Sequence, residues 1–507
     1  MRPKAWSACT SSETVYHREM PSRRRQPSPD DGSIPPARSS IGWDSRELAV
    51  LAAAARRLEA GFVTLPPLPG PGDIGGADDE QMALPPVRPD SVSAVLLETA
   101  SRLQDNYPYF HPRYAGQMLK PPHPVARLAY ALAMLINPNN HALDGGRASS
   151  LMEKEAVAAL AAMFGWEVHL GHLTGGGTPA NLEALWVASC LAPGKVVLAS
   201  REAHYTHARL SAVLGIAFEP VDVDAHGRLD LAALHTRLRS GDVGTVVATV
   251  GTTAYGAIDP VADLVALRER HGFRLHVDAA YGGYFGLVAG LDERSRRAFD
   301  ALSQVDSLVV DPHKHGLQPY GCGAVLYRDP SVGRFYRHDS PYTYFTAADL
   351  HLGEISLECS RAGAAATALW ATQRLLPLVH DGAFARDLQR SLLVARELHR
   401  RLTADSRFLT LMPPDLDIVV WARGAATATD ISAASRQLFD AAAELDLHLA
   451  LVQVDATLAA RYWPGVVNPG DGPVTCLRCC LMKPDHADRL DDLWDVLVRA
   501  LDRTRRS

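Results

Sequence analysis

Short β-branched runs alternate with helical patterns through the middle of this chain, and that alternation constrains the fold more than any other feature. Lys195–Ala199, Thr245–Val250, Arg274–Val277, Ser307–Val310 and Ala324–Tyr327 read as buried strands, and Ala180–Cys190, Leu231–Leu238 and Val261–Arg270 as helices between them. Such an order predicts an α/β architecture: a mostly parallel sheet with helices on both faces and any ligand site at the carboxyl ends of the strands. Further on, the helical stretches Ala362–Leu375 and Phe384–Leu402 are followed by strand patterns at Asp417–Ala422 and Val474–Met482. These predict a smaller C-terminal α+β domain.

The chain carries 51 Lys+Arg against 57 Asp+Glu, a net charge of −6 in 507 residues. Nucleic acid is therefore not expected as a partner, because neutralising phosphates requires a basic excess. The densest apolar run, Leu128–Ile136, falls far short of the roughly 18 residues a membrane helix requires, so no membrane span is expected. Seven cysteines, an odd number with no apolar signal core ahead of them, predict free thiols and a cytoplasmic setting.

Residues 1–40, rich in Ser, Pro and Arg, read as a disordered tail. Its Arg23–Arg25 run suggests a transit peptide or a nucleic-acid patch, but Glu13, Glu19, Asp30 and Asp31 spoil both patterns, and Met20 offers an alternative start. Residues 41–110 read as an N-terminal helical segment plus a Pro/Gly connector at Leu65–Asp90. The large domain is expected over 111–375 and the small one over 376–507.

Several segments carry chemistry. Thr174–Asn181 (TGGGTPAN) leads into an apolar helical pattern, with Thr178 as N-cap and Pro179 at the first helical position. Its backbone N–H groups beside a helix N-terminus suit a phosphate, although a glycine run before a helix equally describes a tight turn. Asp278 ends a strand and is followed by small residues, a position that suits a carboxylate holding a pyridinium nitrogen protonated; an Asp capping the next helix is the alternative. Lys314 follows a buried strand and is flanked by His313 and His315. Desolvation near cationic groups would bring its amine toward the nucleophilic form, making it a Schiff-base candidate; a surface lysine in a loop is the alternative. His204 suits stacking on a conjugated ring, and Thr252 and Thr253 suit hydrogen bonding to ring substituents or a carboxylate. Cys476, Cys479 and Cys480 form a CxxCC that hints at zinc with His486, but their strand-like alternation favours buried thiols, and no metal is expected.

Taken together, TGGGTPAN, AHYTH, GTTAYGAIDP, HVDAAYGGYF and DPHKHGLQPYGCGAVL closely resemble the group II pyridoxal-phosphate-dependent amino acid decarboxylases, the family of aromatic amino acid, tyrosine, glutamate and histidine decarboxylases. The resemblance covers about residues 107–375 and implies the fold type I of such enzymes, with a mostly parallel seven-stranded-type sheet. It implies pyridoxal 5'-phosphate as cofactor, bound covalently by Lys314, with Asp278 on the pyridine nitrogen. His204 would stack over the ring and Ala280 pack against its other face. Gly176, Gly177 and Thr178 would hold the phosphate, with Thr253 near the cofactor and His313 beside the lysine. It further implies loss of carbon dioxide from an L-amino acid and a working homodimer.

The family's Cα proton donor is a loop tyrosine, matched here within Ser340–Phe345 by Tyr344, with Tyr342 as the alternative. A one-residue shift would place Phe345 there, a pattern similar to aromatic aldehyde synthases. His111, in His111–Tyr114, and Asn137, in Asn137–Asn140, look like substrate-side segments of the tyrosine decarboxylase branch, favouring an aromatic substrate such as tyrosine. The first is expected across a dimer interface. The stretch His141–Arg147 departs from that pattern, and Arg361 resembles a family Ser-Arg with its spacing to Trp370 one residue longer. An aminotransferase, a desulfurase, a carbon–carbon lyase or a non-catalytic scaffold of the same fold are the alternative readings.

Overall fold

A computed structural model describes residues 92–337 and 351–504, together with Ala49, residues 51–53 and residues 56–57, which are helical. Met1–Gly42 fall in a separate unit that lies wholly outside the described residues, as do the proposed Pro/Gly connector and the tyrosines Tyr342 and Tyr344.

The large sheet contains β1 (Leu170–Thr174), β2 (Val196–Ser200), β3 (Phe218–Val221), β4 (Val243–Thr249), β5 (Arg274–Asp278), β6 (Ser307–Val310) and β7 (Gly323–Tyr327). Its seven strands run in the order β1-β7-β6-β5-β4-β2-β3. The pairs from β6 through β5, β4 and β2 to β3 are parallel, while β7 is antiparallel to both β1 and β6. The carboxyl ends of every strand except β7 therefore lie along one edge. Residues of β2, β4, β6 and β7 are buried throughout, which is why these strands read as apolar runs without alternation.

The helix Gly177–Leu191 lies close on the sheet, because Ala180 and Ala184 present only methyl groups to Val309 and Val325. A second sheet holds β8 (Phe408–Thr410), β9 (Ile418–Arg423), β10 (Ala450–Val454) and β11 (Val474–Cys480), antiparallel in the order β10-β11-β9-β8. Helices Ala383–Ala404, Ala428–Ala443 and Leu490–Arg503 bring Leu398, Leu438 and Leu497 against its Val419, Trp421 and Leu477. On β11, Cys476 and Cys480 join the core shared with the large sheet, while Cys479 faces the other core.

Candidate active site

The loops at the carboxyl edge of the large sheet enclose a cleft of about 830 Å³, its open mouth included. That volume suits a cofactor-sized ligand with a small substrate. Its lining includes Gly176, Gly177, Thr178, His204, Thr253, Asp278, Ala280, His313 and Lys314.

The glycine turn follows β1, and its helix starts two residues earlier than the sequence suggests. The cap is Gly176, at φ 146°, and no side chain caps the helix, so Thr178 and Pro179 occupy the second and third helical positions. The reason is steric. A φ in that region is open to glycine alone, and β7 presses so closely that a Cβ on Gly323 would lie 2.5 Å from the Gly176 carbonyl carbon. The consequence is an unblocked helix N-terminus that faces the cleft.

Asp278, at the end of β5, is buried and accepts three hydrogen bonds. His207 Nε2 lies 2.9 Å and Asn181 Nδ2 3.2 Å from Oδ2, and the Ala280 amide donates to Oδ1 at 3.1 Å. Burial alone would raise this carboxyl. The His207 hydrogen bond and charge, the charge of Lys314 and the Ala280 amide outweigh it and hold the group well below the usual carboxylate range. Asp278 is thus an ionised acceptor.

Two residues before Asp278 on β5, His276 places Nε2 2.8 Å from Asn181 Oδ1 and Nδ1 2.9 Å from Ser307 Oγ. Burial, reinforced by the charge of His207, lowers His276 to a pKa of about 3, so the folded chain keeps it neutral. An unfolded histidine takes up its proton near pH 6.5. Between pH 6.5 and about 3 the unfolded state therefore binds more protons, and stability falls as pH drops through that window, by up to roughly 5 kcal/mol. Denaturant unfolding across this range should show the loss, and His276→Gln should flatten it.

Lys314 is partly exposed, at 23% for its side chain, and its Nζ lies 3.1 Å from Asp311 Oδ2. Its closest charged neighbour is thus a carboxylate, where the sequence suggested cationic neighbours. His313 does line the cleft, 3.5 Å from the same carboxylate and against the Tyr320 ring, and burial lowers its pKa. His315 points the other way, buried between Tyr281 and Phe285 and 3.4 Å from Asp417 Oδ2. His204 is half-buried, and that desolvation lowers its pKa toward the neutral ring.

The substrate-side trio is not part of this cleft lining. His111 is buried, and its Nδ1 accepts the Arg113 amide. Asn137 is exposed at φ 47°, just past the helix Pro124–Met134. Arg361 is buried, donating to Glu153 Oε1 at 2.8 Å and to the Leu173 carbonyl at 2.6 Å. Removing one partner of such a pair strands a buried charge, so Arg361→Met should lower unfolding stability by roughly 3–5 kcal/mol in chemical denaturation. An unchanged stability would overturn this structural role of the Glu153 pair. The sequence reading missed Asp311, Asn181 and His207 as site residues. All three lie inside motifs it had singled out, and Asp311 repeats the strand-end position that drew attention to Asp278.

Residues 181–422 match the pyridoxal-dependent decarboxylase conserved domain. An L-tyrosine decarboxylase of Enterococcus faecium is 28% identical, with 70% of this chain and 77% of the relative covered. A probable L-tyrosine/L-aspartate decarboxylase of Methanothrix thermoacetophila is 31% identical, with 56% of this chain and 70% of the relative covered. The chain belongs to the pyridoxal-dependent decarboxylase family. It is a pyridoxal-phosphate-dependent amino acid decarboxylase with the α/β fold expected from its sequence. Oryza sativa TDC, solved with PLP and tryptamine, shares the fold at a TM-score of 0.74 and 19% identity, with 93% of this chain and 100% of that one covered.

The cleft of this decarboxylase suits its cofactor on its own chemistry. Asp311 Oδ1, Thr249 Oγ1 and His313 Nδ1 are buried in its lining without hydrogen-bond partners among the described residues. Buried polar atoms left in that state mark a place where a polar group belongs. An amine, an ionised acceptor and a helix N-terminus surround them, and these match an aldehyde, a ring nitrogen and a phosphate.

Proposed function

We propose that this decarboxylase acts on an aromatic L-amino acid, with tyrosine the leading substrate, and releases the amine and carbon dioxide. The observation that carries the assignment of roles is the meeting of Lys314, Asp278 and the Gly176–Thr178 turn in one cleft. Bound pyridoxal phosphate supplies a reactive aldehyde and an electron-withdrawing ring that stabilises negative charge at Cα after the carboxylate departs. Lys314 Nζ would be the attachment point that holds the cofactor's aldehyde carbon in the cleft. Asp278 keeps a proton on the ring nitrogen, which strengthens that withdrawal. Gly176, Gly177 and Thr178 bind phosphate through backbone N–H groups at the helix N-terminus. His204 covers one ring face and Ala280 the other, while Thr253 and His313 complete the polar wall. Held this way, the bond to be broken is chosen by orientation. Tyr344, with Tyr342 as the alternative, returns the proton to Cα; this assignment comes from the sequence.

The aromatic preference rests on the His111–Tyr114 and Asn137–Asn140 segments and on relatives named tyrosine decarboxylases. Other relatives are named aspartate and 2,4-diaminobutyrate decarboxylases, which makes these the competing substrates. Arg361 remains the proposed substrate-side cation, since its Nε and Nη2 have no partner among the described residues. A homodimer is supported by exposed apolar residues, Leu128 and Leu132 on the helix Pro124–Met134 and Ile136 just past it, which precede the Asn137–Asn140 segment. The described cysteines are all free thiols, which supports a cytoplasmic setting. We also divide the chain functionally at residue 375, into a cofactor domain over 111–375 and a small domain after it.

The test is a panel of L-tyrosine, L-tryptophan, L-aspartate, L-glutamate and L-2,4-diaminobutyrate, each assayed for carbon dioxide and for amine. Tyrosine should give both in equal amounts with the highest kcat/KM. Preference for an acidic or a diamino substrate overturns the aromatic reading, and aldehyde in place of amine overturns the decarboxylase outcome.

A further inference from the structure

Behind the Asp278 carboxylate, the side chains of Ser307, His276 and Asn181 form a continuous buried row. Ser307 and His276 are register partners on β6 and β5, while Asn181 comes from the first turns of the helix Gly177–Leu191. The spacings are 2.9 Å from Ser307 Oγ to His276 Nδ1, 2.8 Å from His276 Nε2 to Asn181 Oδ1 and 3.2 Å from Asn181 Nδ2 to Asp278 Oδ2. The direction of every proton in this row follows from its ends. A carboxylate accepts only, so Asn181 must turn its amide nitrogen toward Asp278 and its oxygen toward His276. That oxygen in turn requires a proton on His276 Nε2. A neutral ring then leaves Nδ1 as an acceptor for the Ser307 hydroxyl.

We propose that Ser307, His276 and Asn181 form a one-way hydrogen-bond relay that locks the Asp278 carboxylate as an acceptor, making Asn181 and His276 positioning residues for the cofactor. The relay and His207 occupy Oδ2, whereas Oδ1 receives only the Ala280 amide. Oδ1 thus keeps acceptor capacity for the ring nitrogen. Each donor in the row is polarised by the next, so the carboxylate meets a stronger donor than an isolated amide. The relay rests on the reading of Asp278 as the cofactor's partner, and the experiment separates the two.

The full-length chain is prepared cofactor-free with 13C-labelled aspartate, and the Asp278 carboxyl, assigned by its absence in Asp278→Asn, is titrated by NMR. Pyridoxal phosphate affinity is measured on the same samples by absorbance. Asn181→Leu and His276→Phe should move the Asp278 midpoint upward by about one pH unit or more and weaken cofactor binding about tenfold. His276→Gln keeps an N–H for Asn181 and should recover most of both, and Ser307→Ala should cause a smaller shift in the same direction. Folding of each variant is checked by circular dichroism; if Asn181→Leu does not fold, His276→Gln against His276→Phe carries the comparison. Midpoints that stay within 0.3 unit of the wild type, a bound set by about twofold in the equilibrium, overturn the relay. If the midpoints move but Asp278→Asn binds the cofactor as tightly as wild type, the relay stands and the cofactor role of Asp278 falls.

Discussion

Replacing Lys314 with alanine is expected to remove the absorption band of the lysine-linked cofactor, leaving that of the free aldehyde, and to lower amine production by about 10³-fold or more, the scale seen when a positioned nucleophile or base is removed. Lys314 is the amine among the described residues of the cleft lining, and its Nζ pairs with Asp311 Oδ2 at 3.1 Å. Asp311 is buried, so Lys314→Ala also strands a carboxylate and should lower stability, whereas Lys314→Arg keeps that charge paired and should melt within a few degrees of wild type. The contrast between intact folding and lost turnover distinguishes a covalent role from a structural one. Non-covalent cofactor should still bind, because the phosphate turn and Asp278 are untouched. Lys314→Arg keeps the charge beside Asp311 but offers no nucleophilic amine, and it should fail as completely. Turnover within tenfold of wild type in either variant removes Lys314 from the mechanism.

The parts of the molecule legible in the sequence are those whose structure is set locally. β6 and the helix Leu231–Leu238 occupy the predicted residues, the first because Ser307–Val310 is an unbroken buried run and the second because Asp230 caps it through the Ala232 and Ala233 amides. β1 and β3 were not read as strands. Gly171 and His172 interrupt the apolar pattern in β1, and β3 carries Pro220 on an edge where its missing N–H costs nothing. β8 is only three residues long, too short for periodicity to register. The start of the helix at Gly177 was displaced by two residues because its cap is decided by β7, more than a hundred residues downstream.

The candidate site divides along the same line. The motif residues that meet in the cleft were singled out because each sits at a predicted strand end or helix start, and the strand order brings those ends together. Side-chain direction was not legible: His313 and His315 flank the same lysine, yet one lines the cleft and the other is buried against Asp417. Nor were the supports. Asn181 meets His276 across 95 positions and Arg361 meets Glu153 across 208, distances at which no local spacing carries information.

Asp278→Asn is the second large effect expected, and its design separates charge from shape. Asparagine preserves the size of the side chain and an oxygen for the Ala280 amide, but turns a nitrogen donor toward the His207 and Asn181 donors that now lie 2.9 and 3.2 Å from Oδ2. Facing donors leave buried groups unsatisfied, at about 1–3 kcal/mol. Loss of the carboxylate also removes the charge that keeps the ring nitrogen protonated, and kcat should fall by about 10²–10⁴-fold, the range for a misplaced proton in catalysis. These two losses have different cures. In the double variant Asn181→Asp with Asp278→Asn, the new carboxylate accepts from both His276 Nε2–H and the new amide, so most of the stability should return. The charge, however, now sits at position 181 on the helix and not at the end of β5. Melting temperature near wild type with kcat still depressed would show that the position of the charge, and not merely its presence in the network, drives the chemistry; recovery of kcat in the double variant would refute that assignment.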